Sequence, residues 1–396
     1  MRFFRDMSDH PAWLPPRLPL EPLLERLTQW SAINSGSLNV QGLSQMADAL
    51  VDSLRKLTPR VERIPLADGR FALRAELRPE APLRVLCSGH YDTVFEPNHP
   101  FQIAKVLEGE QRLNGPGVAD MKGGLVVMLA ALAAFEESPH AASLGWTVLL
   151  TPDEETGSEY SATTIEAEAP RHQLGLVFEP ARDSGYMVKS RAATGIFQAT
   201  MQGRAAHAGR DPAAGRNAIL ALARFCLAVD ELPKTVPNLL VNVGHFTGGG
   251  TVNIVPDHAT AAINARASTP AAMTEFNHAL EGLVAESNTD ESYHLDFSGQ
   301  FNRDPLVSTP TTEALFAQLQ ACGRKLGLAP FDWLAVAGGS DGNLLHAAGL
   351  PVLDGLGPIG GGLHSDQEYV ELSSLTERAQ LAALLLHQLS TKEITI

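Results

Sequence analysis

Cysteine is scarce in this chain, aromatic content is low, and positive charge is in deficit. The three cysteines, Cys87, Cys226 and Cys322, stand far apart with no Cys-x-x-Cys spacing. That argues against both a disulfide framework and a thiolate metal site. Lys and Arg number 30 against 45 Asp and Glu, giving a net charge of -15 and a pI near 5.3. Such a field repels phosphate, and no local basic patch offsets it, so nucleic acid is not expected as a partner. The Gly-x-x-x-x-Gly-Lys-Ser/Thr phosphate loop is also missing, which argues against a phosphotransfer or nucleotide-binding enzyme.

Long apolar runs are absent as well. The longest, residues 125–135, has 11 residues, too few to cross a bilayer, and reads as a buried helix. The first residues, Met-Arg-Phe-Phe-Arg-Asp-Met-Ser-Asp-His-Pro, break into charge and proline before a signal-peptide core can form. The expectation is a cytoplasmic protein with no membrane attachment.

What is present is the composition of a soluble enzyme. The 396 residues, 44% hydrophobic and 19% charged, suffice for two domains and a large core. Residues 20–57 carry helical leucine spacing interrupted by Asn34-Ser-Gly-Ser37. Strands are expected over 61–66, 70–77 and 83–87, then 146–151 and 174–178, with the buried helix between. From about Val188 the pattern changes. Strands over 196–201, 238–243, 251–254, 259–266 and 293–297 alternate with helices over 217–229 and 271–288. The strand and helix pattern of the first region resumes after about Pro305, and a closing helix covers 374–389. This predicts an α/β fold with an inserted α+β layer, 189–305, in a domain made of 1–188 plus 306–396.

The chain is organised around Ser88-Gly-His-Tyr-Asp-Thr-Val94. His90 and Asp92 are two apart on an extended segment, so they project together. One can bind a metal while the other fixes its imidazole. Asn114-Gly-Pro-Gly-Val-Ala-Asp-Met-Lys-Gly-Gly124 opens onto the buried helix and sets Asp120 at its mouth; the same stretch could be a plain flexible loop. Pro152-Asp-Glu-Glu-Thr-Gly157 follows a strand that would neighbour the His90 strand, and ligands gather at such carboxyl ends. Glu154 and Glu155 are adjacent and point different ways, so one can ligate while the other leans over an open coordination position. Glu179 ends a third strand, and His364 follows a run of glycines that lets its loop fold back over the sheet.

His90, Asp120, Glu155, Glu179 and His364 are oxygen and imidazole donors without thiolate, a set that suits zinc, manganese or cobalt in a hydrolytic site. Five ligands exceed one tetrahedral ion's needs and suit two ions sharing a carboxylate. In the inserted layer, His207, His245, Asn253, Arg266 and Arg303 stand out, though a lone His or Arg there is more often a surface or satisfied core residue.

Five motifs now agree in order: Ser-Gly-His-Tyr-Asp-Thr-Val, Gly-x-x-Asp-Met-Lys-Gly-Gly, Asp-Glu-Glu-Thr-Gly-Ser, Gly-Arg-Ala-Ala-His-Ala-Gly and His-Ser-Asp-x-Glu-Tyr-Val. Together they resemble the two-zinc metallopeptidase and amidohydrolase family that contains bacterial glutamate carboxypeptidase, acetylornithine deacetylase, succinyl-diaminopimelate desuccinylase and aminoacylase. The resemblance runs from Leu20 to the end. It implies a zinc-exopeptidase-like catalytic domain, a mixed sheet flanked by helices, with an inserted ferredoxin-like lid through which two subunits pair.

It further implies two Zn2+ per subunit, with Co2+ or Mn2+ able to substitute. His90 and Glu179 would hold one ion, Glu155 and His364 the other, and Asp120 would bridge. Glu154 becomes the general base and Asp92 orients His90. His207 resembles the histidine that crosses the dimer interface to stabilise the oxyanion, while Asn253, Arg266 and Gly339 resemble contacts to the substrate's carboxylate and backbone. Arg303 stands near where the glutamate carboxypeptidases carry an arginine before proline, with Asp304 intervening. Aminopeptidase-like members tend to carry Asp at the Glu179 position, and Glu there favours carboxypeptidase or deacylase chemistry.

The implied activity is hydrolysis of an amide bond next to a free carboxylate, in an N-acyl amino acid or a short peptide. A dipeptidase is the alternative within the family. A non-catalytic small-molecule binder on the same fold is the alternative outside it, and loss of the base or of a ligand, its mark, is not seen.

Overall fold

The computed structural model describes residues 13–107, 109 and 111–391; the N-terminal stretch read above for export lies outside them. Contacts divide the chain into two compact units. The first contains residues up to Val188, Thr309–Leu334 and the chain from Ala348 onward; the second contains Lys189–Ser308 and Ala335–Ala347.

The first unit begins with α1 (Leu20–Ser31) and α2 (Val40–Leu54). The Asn34-Ser-Gly-Ser break falls between them, and the Asn39 side chain caps α2 by accepting from Gly42 N, satisfying one of the amides a helix start leaves open. Then come β1 (Val61–Pro65), β2 (Phe71–Leu77), β3 (Leu83–His90), the short β4 (Arg112–Asn114), α3 (Lys122–Glu136), β5 (Leu144–Thr151) and β6 (Leu174–Val177).

After the second unit the chain returns with α6 (Pro310–Lys325), β11 (Val352–Leu353), β12 (Tyr369–Glu371) and α7 (Leu372–Ser390). The six-stranded sheet runs β1-β2-β5-β3-β6-β11. It is mixed: β3 is parallel to both β5 and β6, and β1 and β2 complete one side antiparallel.

Every residue of β5 is buried, as are the last six of β3, the mark of central strands covered on both faces. The 15-residue α3 is apolar nearly all round, with 13 residues buried, so it lies inside rather than on the surface. It packs with α1 and α7 and against β3.

Between β6 and α6, the second unit folds as β7 (Ala193–Gln202), α4 (Ala218–Glu231), β8 (Leu239–Gly248), β9 (His258–Ala267), α5 (Pro270–Ser287) and β10 (His294–Arg303). Its sheet is antiparallel in the order β8-β9-β7-β10, the βαββαβ arrangement of the ferredoxin-like class. Strands β7 and β9 alternate buried and accessible residues. Their inward residues include Ala199, Ala259, Ala261 and Ala265, all fully buried, and such small side chains let α4 and α5 lie close on one face. The Ala335–Ala347 segment, expected with the domain of 1–188 plus 306–396, belongs by its contacts to this unit. No helix among the described residues is long and apolar enough to cross a membrane.

Candidate metal centre

Parallel pairing aligns the carboxyl ends of β3, β5 and β6. His90 pairs with Thr151 and Ser88 with Val177, so the residues that follow these strands emerge side by side. His90 ends β3, Glu154 and Glu155 lie in a one-turn 3-10 helix just past β5, and Glu179 follows β6 by two residues. Asp120 precedes α3, and its peptide bond to Met121 is cis. Glycine brings this segment in close. A Cβ on Gly124 would lie 1.9 Å from the Phe178 carbonyl oxygen, so any side chain there would push α3 away from the strand end that carries Glu179. His364 comes from the turn between Gly360–Gly361 and β12, two segments that pair with each other.

His90 Nε2 lies 3.1 Å from Asp120 Oδ1 and 3.6 Å from Glu179 Oε1. His364 Nε2 lies 3.4 Å from Asp120 Oδ2 and 3.1 Å from Glu155 Oε2. The two oxygens of Asp120 therefore face two different histidines. Ligand-capable atoms of His90, Glu154 and Glu179 fall within 4.8 Å of one another, and so do those of His90, Asp120 and Glu155. On its other side, His90 Nδ1 is 3.1 Å from the Asp92 carbonyl and 3.2 Å from Asp92 Oδ1. Both are acceptors, so Nδ1 carries a proton and Nε2 faces the carboxylates.

The electrostatics of the cluster are those of packed carboxylates around two imidazoles. Burial pulls the His90 pKa down, but hydrogen bonds to Asp120 and Asp92 outweigh it and hold the group well above its ordinary value. Hydrogen bonds to Asp120 and Glu155 lift His364 to about 11. Burial, then the charge of Asp120, pushes Glu155 up to about 8, whereas Asp120, despite its burial, is held below the carboxylate range by the two histidines. Packed carboxylates demand positive charge, and here the imidazoles supply it as protons. Divalent cations supply it without protonation, and convergent imidazole nitrogens and carboxylate oxygens are the donors that Zn2+, Mn2+ or Co2+ take. The residues present fit such ions.

The surrounding shell is built from distant segments. Asp92 Oδ1 accepts from Glu154 N at 3.2 Å, and its Oδ2 accepts from Glu155 N at 3.1 Å and Ser37 Oγ at 2.8 Å. Buried Lys122 donates to the carbonyls of Trp30 and Ile33, and burial brings its pKa down to about 7. Glu368, fully buried and pushed up to about 7 by that burial, accepts from backbone amides of the Asp120 loop. Ser37, Lys122 and Glu368 were not singled out from the sequence. The last two stand inside motifs already quoted, which was the available signal.

His364 adopts φ 61°, left-handed backbone that costs a non-glycine residue about 1–2 kcal/mol. Gly362, at φ 66°, makes the turn possible, since a Cβ there would meet the Gln367 carbonyl at 2.2 Å.

The remaining expected residues lie in the second unit. His207 pairs with Ile254 in a two-residue ladder and is exposed. Its Nδ1 accepts from Gly209 N and Arg210 N, both at 3.1 Å, which leaves Nε2 as the ring's N–H donor. Asn253 lies beside it, its carbonyl accepting from Ala208 N at 2.9 Å.

Arg266, Arg303 and Gly339 come together around one glycine turn. Arg266 Nη1 donates to the Ala337 carbonyl at 2.7 Å, and a Cβ on Gly339 would lie 3.1 Å from Arg303 Nη1. Arg191, unremarkable in the sequence, donates to the carbonyls of Gly338 and Gly339 in the same turn. His245, on β8, is exposed.

Comparison with known proteins places the chain in a class. The model of peptidase family M20/M25/M40 matches residues 86–388, and the chain belongs to that family. It is a hydrolase of the peptidase and amidohydrolase kind. Among curated relatives it is similar to carboxypeptidase G2 of Pseudomonas sp. (strain RS-16), 28% identical over 377 residues covering 92% of this chain and 88% of the relative. A succinyl-diaminopimelate desuccinylase of Pseudoalteromonas atlantica is 30% identical over 332 residues, 77% of this chain and 84% of the relative. Among solved structures, an M20 family metallo-carboxypeptidase from Sulfolobus solfataricus shares the fold with a TM-score of 0.76 at 17% identity, covering 93% of this chain and 99% of the other.

Proposed function

We propose that this protein is a metal-dependent hydrolase that cleaves the amide bond next to a free carboxylate, as a carboxypeptidase or an N-acyl-amino-acid deacylase. The observation that carries the reading is the pair of contacts made by Asp120, one oxygen toward His90 and the other toward His364. His90 and Glu179 would hold one ion, Glu155 and His364 a second, and Asp120 would bridge them, with zinc the expected metal and cobalt or manganese able to substitute. Such ions would supply an acidified water, a polarised scissile carbonyl and a counter-charge for the oxygen on which negative charge develops.

The chain's own groups do the rest. Glu154 takes the proton of the attacking water and delivers it to the departing nitrogen as the carbon–nitrogen bond breaks, so the amine leaves neutral. A positioned base of this kind contributes about 10² to 10⁴ in rate. Asp92 fixes the His90 ring through Nδ1 and sets the backbone of the 3-10 turn that carries Glu154. His207 presents Nε2–H to the oxyanion, supplied from a second subunit paired through the inserted module, 189–305. Asn253, Arg266, Arg303 and Gly339 receive the substrate's backbone and carboxylate. The fork of a guanidinium suits a carboxylate bidentately.

Hydrolysis of a panel of N-acyl amino acids, their carboxamides and dipeptides by the zinc- or cobalt-loaded protein tests this reading. Turnover of the free acids with at least tenfold loss on amidation is the expected outcome. Equal turnover of acid and amide would overturn the assignment, and turnover of dipeptides alone would replace it with a dipeptidase.

A further inference from the structure

Two of the loops at this centre are far apart in sequence, and one side chain fastens them together. Glu368 Oε2 accepts from Gly117 N at 3.0 Å, while Oε1 accepts from Ala119 N at 2.9 Å and Asp120 N at 3.0 Å. The backbone around it adds to the clasp. The Glu368 carbonyl accepts from Gly115 N at 3.2 Å and from Asn114 Nδ2 at 2.7 Å, and Asn114 Nδ2 also reaches the Asp366 carbonyl at 3.0 Å. These bonds begin where the β4–β12 ladder ends, since Asn114 pairs with Tyr369. The ladder is thus carried on by side chains as far as Asp120.

His364 lies only four residues before Glu368, in left-handed backbone. Such a conformation persists where the surroundings over-determine it, and the clasp fixes the following end of that turn.

We propose that Glu368 is a positioning residue that sets the distance between Asp120 and His364, and with it the spacing of the two halves of the metal centre. This inference rests on the reading of Asp120 and His364 as metal ligands. A carboxylate accepts three amides with two oxygens, and nothing else of similar size does. Glutamine keeps one oxygen and turns an NH2 group toward backbone N–H, so at least one amide of the Asp120 loop loses its acceptor and the loop must shift. The His90 side is anchored on sheet strands and stays. The His364 side, held by a turn, loosens.

The test uses the full chain loaded with Zn2+ or Co2+, in wild-type form and as E368Q, N114A and D120N. Metal content after dialysis, competition with a chromogenic chelator and the visible spectrum of the Co2+ form are read alongside the melting curve of the metal-free protein. The expected result for E368Q is a metal-free protein that still folds cooperatively but melts below wild type, one ion retained, the other bound 10- to 100-fold more weakly, and an altered Co2+ spectrum. N114A removes two bonds of the clasp without touching the carboxylate and should weaken the same ion by less.

If D120N loses metal while E368Q and N114A bind both ions with wild-type affinity and spectrum, the role of Glu368 is overturned and the centre stands. If D120N itself binds two ions as the wild type does, the metal reading falls first. Should E368Q fail to fold, N114A decides alone, by weakening one ion or leaving both unchanged.

Discussion

One oxygen of Asp92 serves both His90 and Glu154: Oδ1 lies 3.2 Å from His90 Nδ1 and accepts the Glu154 amide at 3.2 Å. Ring and turn therefore cannot be adjusted separately. Asp92→Asn sets an NH2 group either against both of these groups or, with the amide turned over, against Glu155 N–H in the same turn and the Ser37 hydroxyl. Metal affinity should fall about 10- to 100-fold, and kcat should fall further than metal occupancy explains, because the turn bearing Glu154 shifts as well. Titration of kcat against bound metal checks this; activity restored fully by excess metal would contradict it. Ser37→Ala removes one hydrogen bond to the other oxygen and should cost about 1 kcal/mol of stability with a smaller catalytic effect.

Asp120, Glu154, Glu155 and Glu179 repel one another without cations. Removal of metal by chelation should abolish activity and lower the melting temperature. A ligand present at 100 times its dissociation constant contributes about 2.7 kcal/mol to stability. A melting curve unchanged after verified metal removal would refute a metal centre at these residues.

The adjacent glutamates should separate by substitution. Glu154→Gln keeps size and polarity but takes no proton, so kcat should drop by about 10² or more with metal content near wild type. Glu155→Gln should lose metal as well, since its carboxylate faces His364 at 3.1 Å. Metal analysis showing the reverse order would exchange their roles.

His207 should act across a dimer. Glu154→Ala and His207→Ala proteins are each expected to be nearly inactive. Unfolded and refolded together, about half the dimers should be mixed, each with one site that has both residues, so about a quarter of wild-type activity should return. No recovery, with a monomer in sedimentation, would show that His207 does not serve a neighbouring subunit.

Away from the centre, His172 is buried with Nδ1 donating to the Glu168 carbonyl and Nε2 accepting from the Thr147 hydroxyl. Burial lowers its pKa from 6.5. The unfolded chain then takes up a proton at a higher pH than the folded one. This contribution to stability is fully present above about pH 6.5 and is lost as the pH falls from there toward the folded value. His172→Asn should flatten that part of the wild-type pH–stability curve, and parallel curves for the two proteins would rule the effect out.

The parts of this protein that could be read in its residues are those governed by local pattern. The buried run of α3, the apolar strand before His90 and the two helices of the second unit announce themselves through period and composition. The neighbours of the candidate ligands do not. Ser37 meets Asp92 across 55 residues and Glu368 meets Gly117 across 251, and no spacing rule connects such positions. Strands as short as β4 and β12 have too few residues to show alternation, yet their pairing brings the His364 and Asp120 loops together. Helix α6 does carry a local signal, Thr309 capping with Pro310 at its first turn, which is weaker than the apolar run that marked α3.

The place of β3 in the middle of its sheet, with β5 on one side and β6 on the other, has a consequence for how the molecule opens. Amides on edge strands such as β1 and β11 can exchange with solvent through local fraying, whereas those of β3 are released only when most of the unit comes apart. His90 hangs from that last-opening strand. A metal ion held there is therefore coupled to the slowest-exchanging amides of the unit, and its removal should be felt first as lost deuterium protection in β3, β5 and β6, before any change at the sheet's margins.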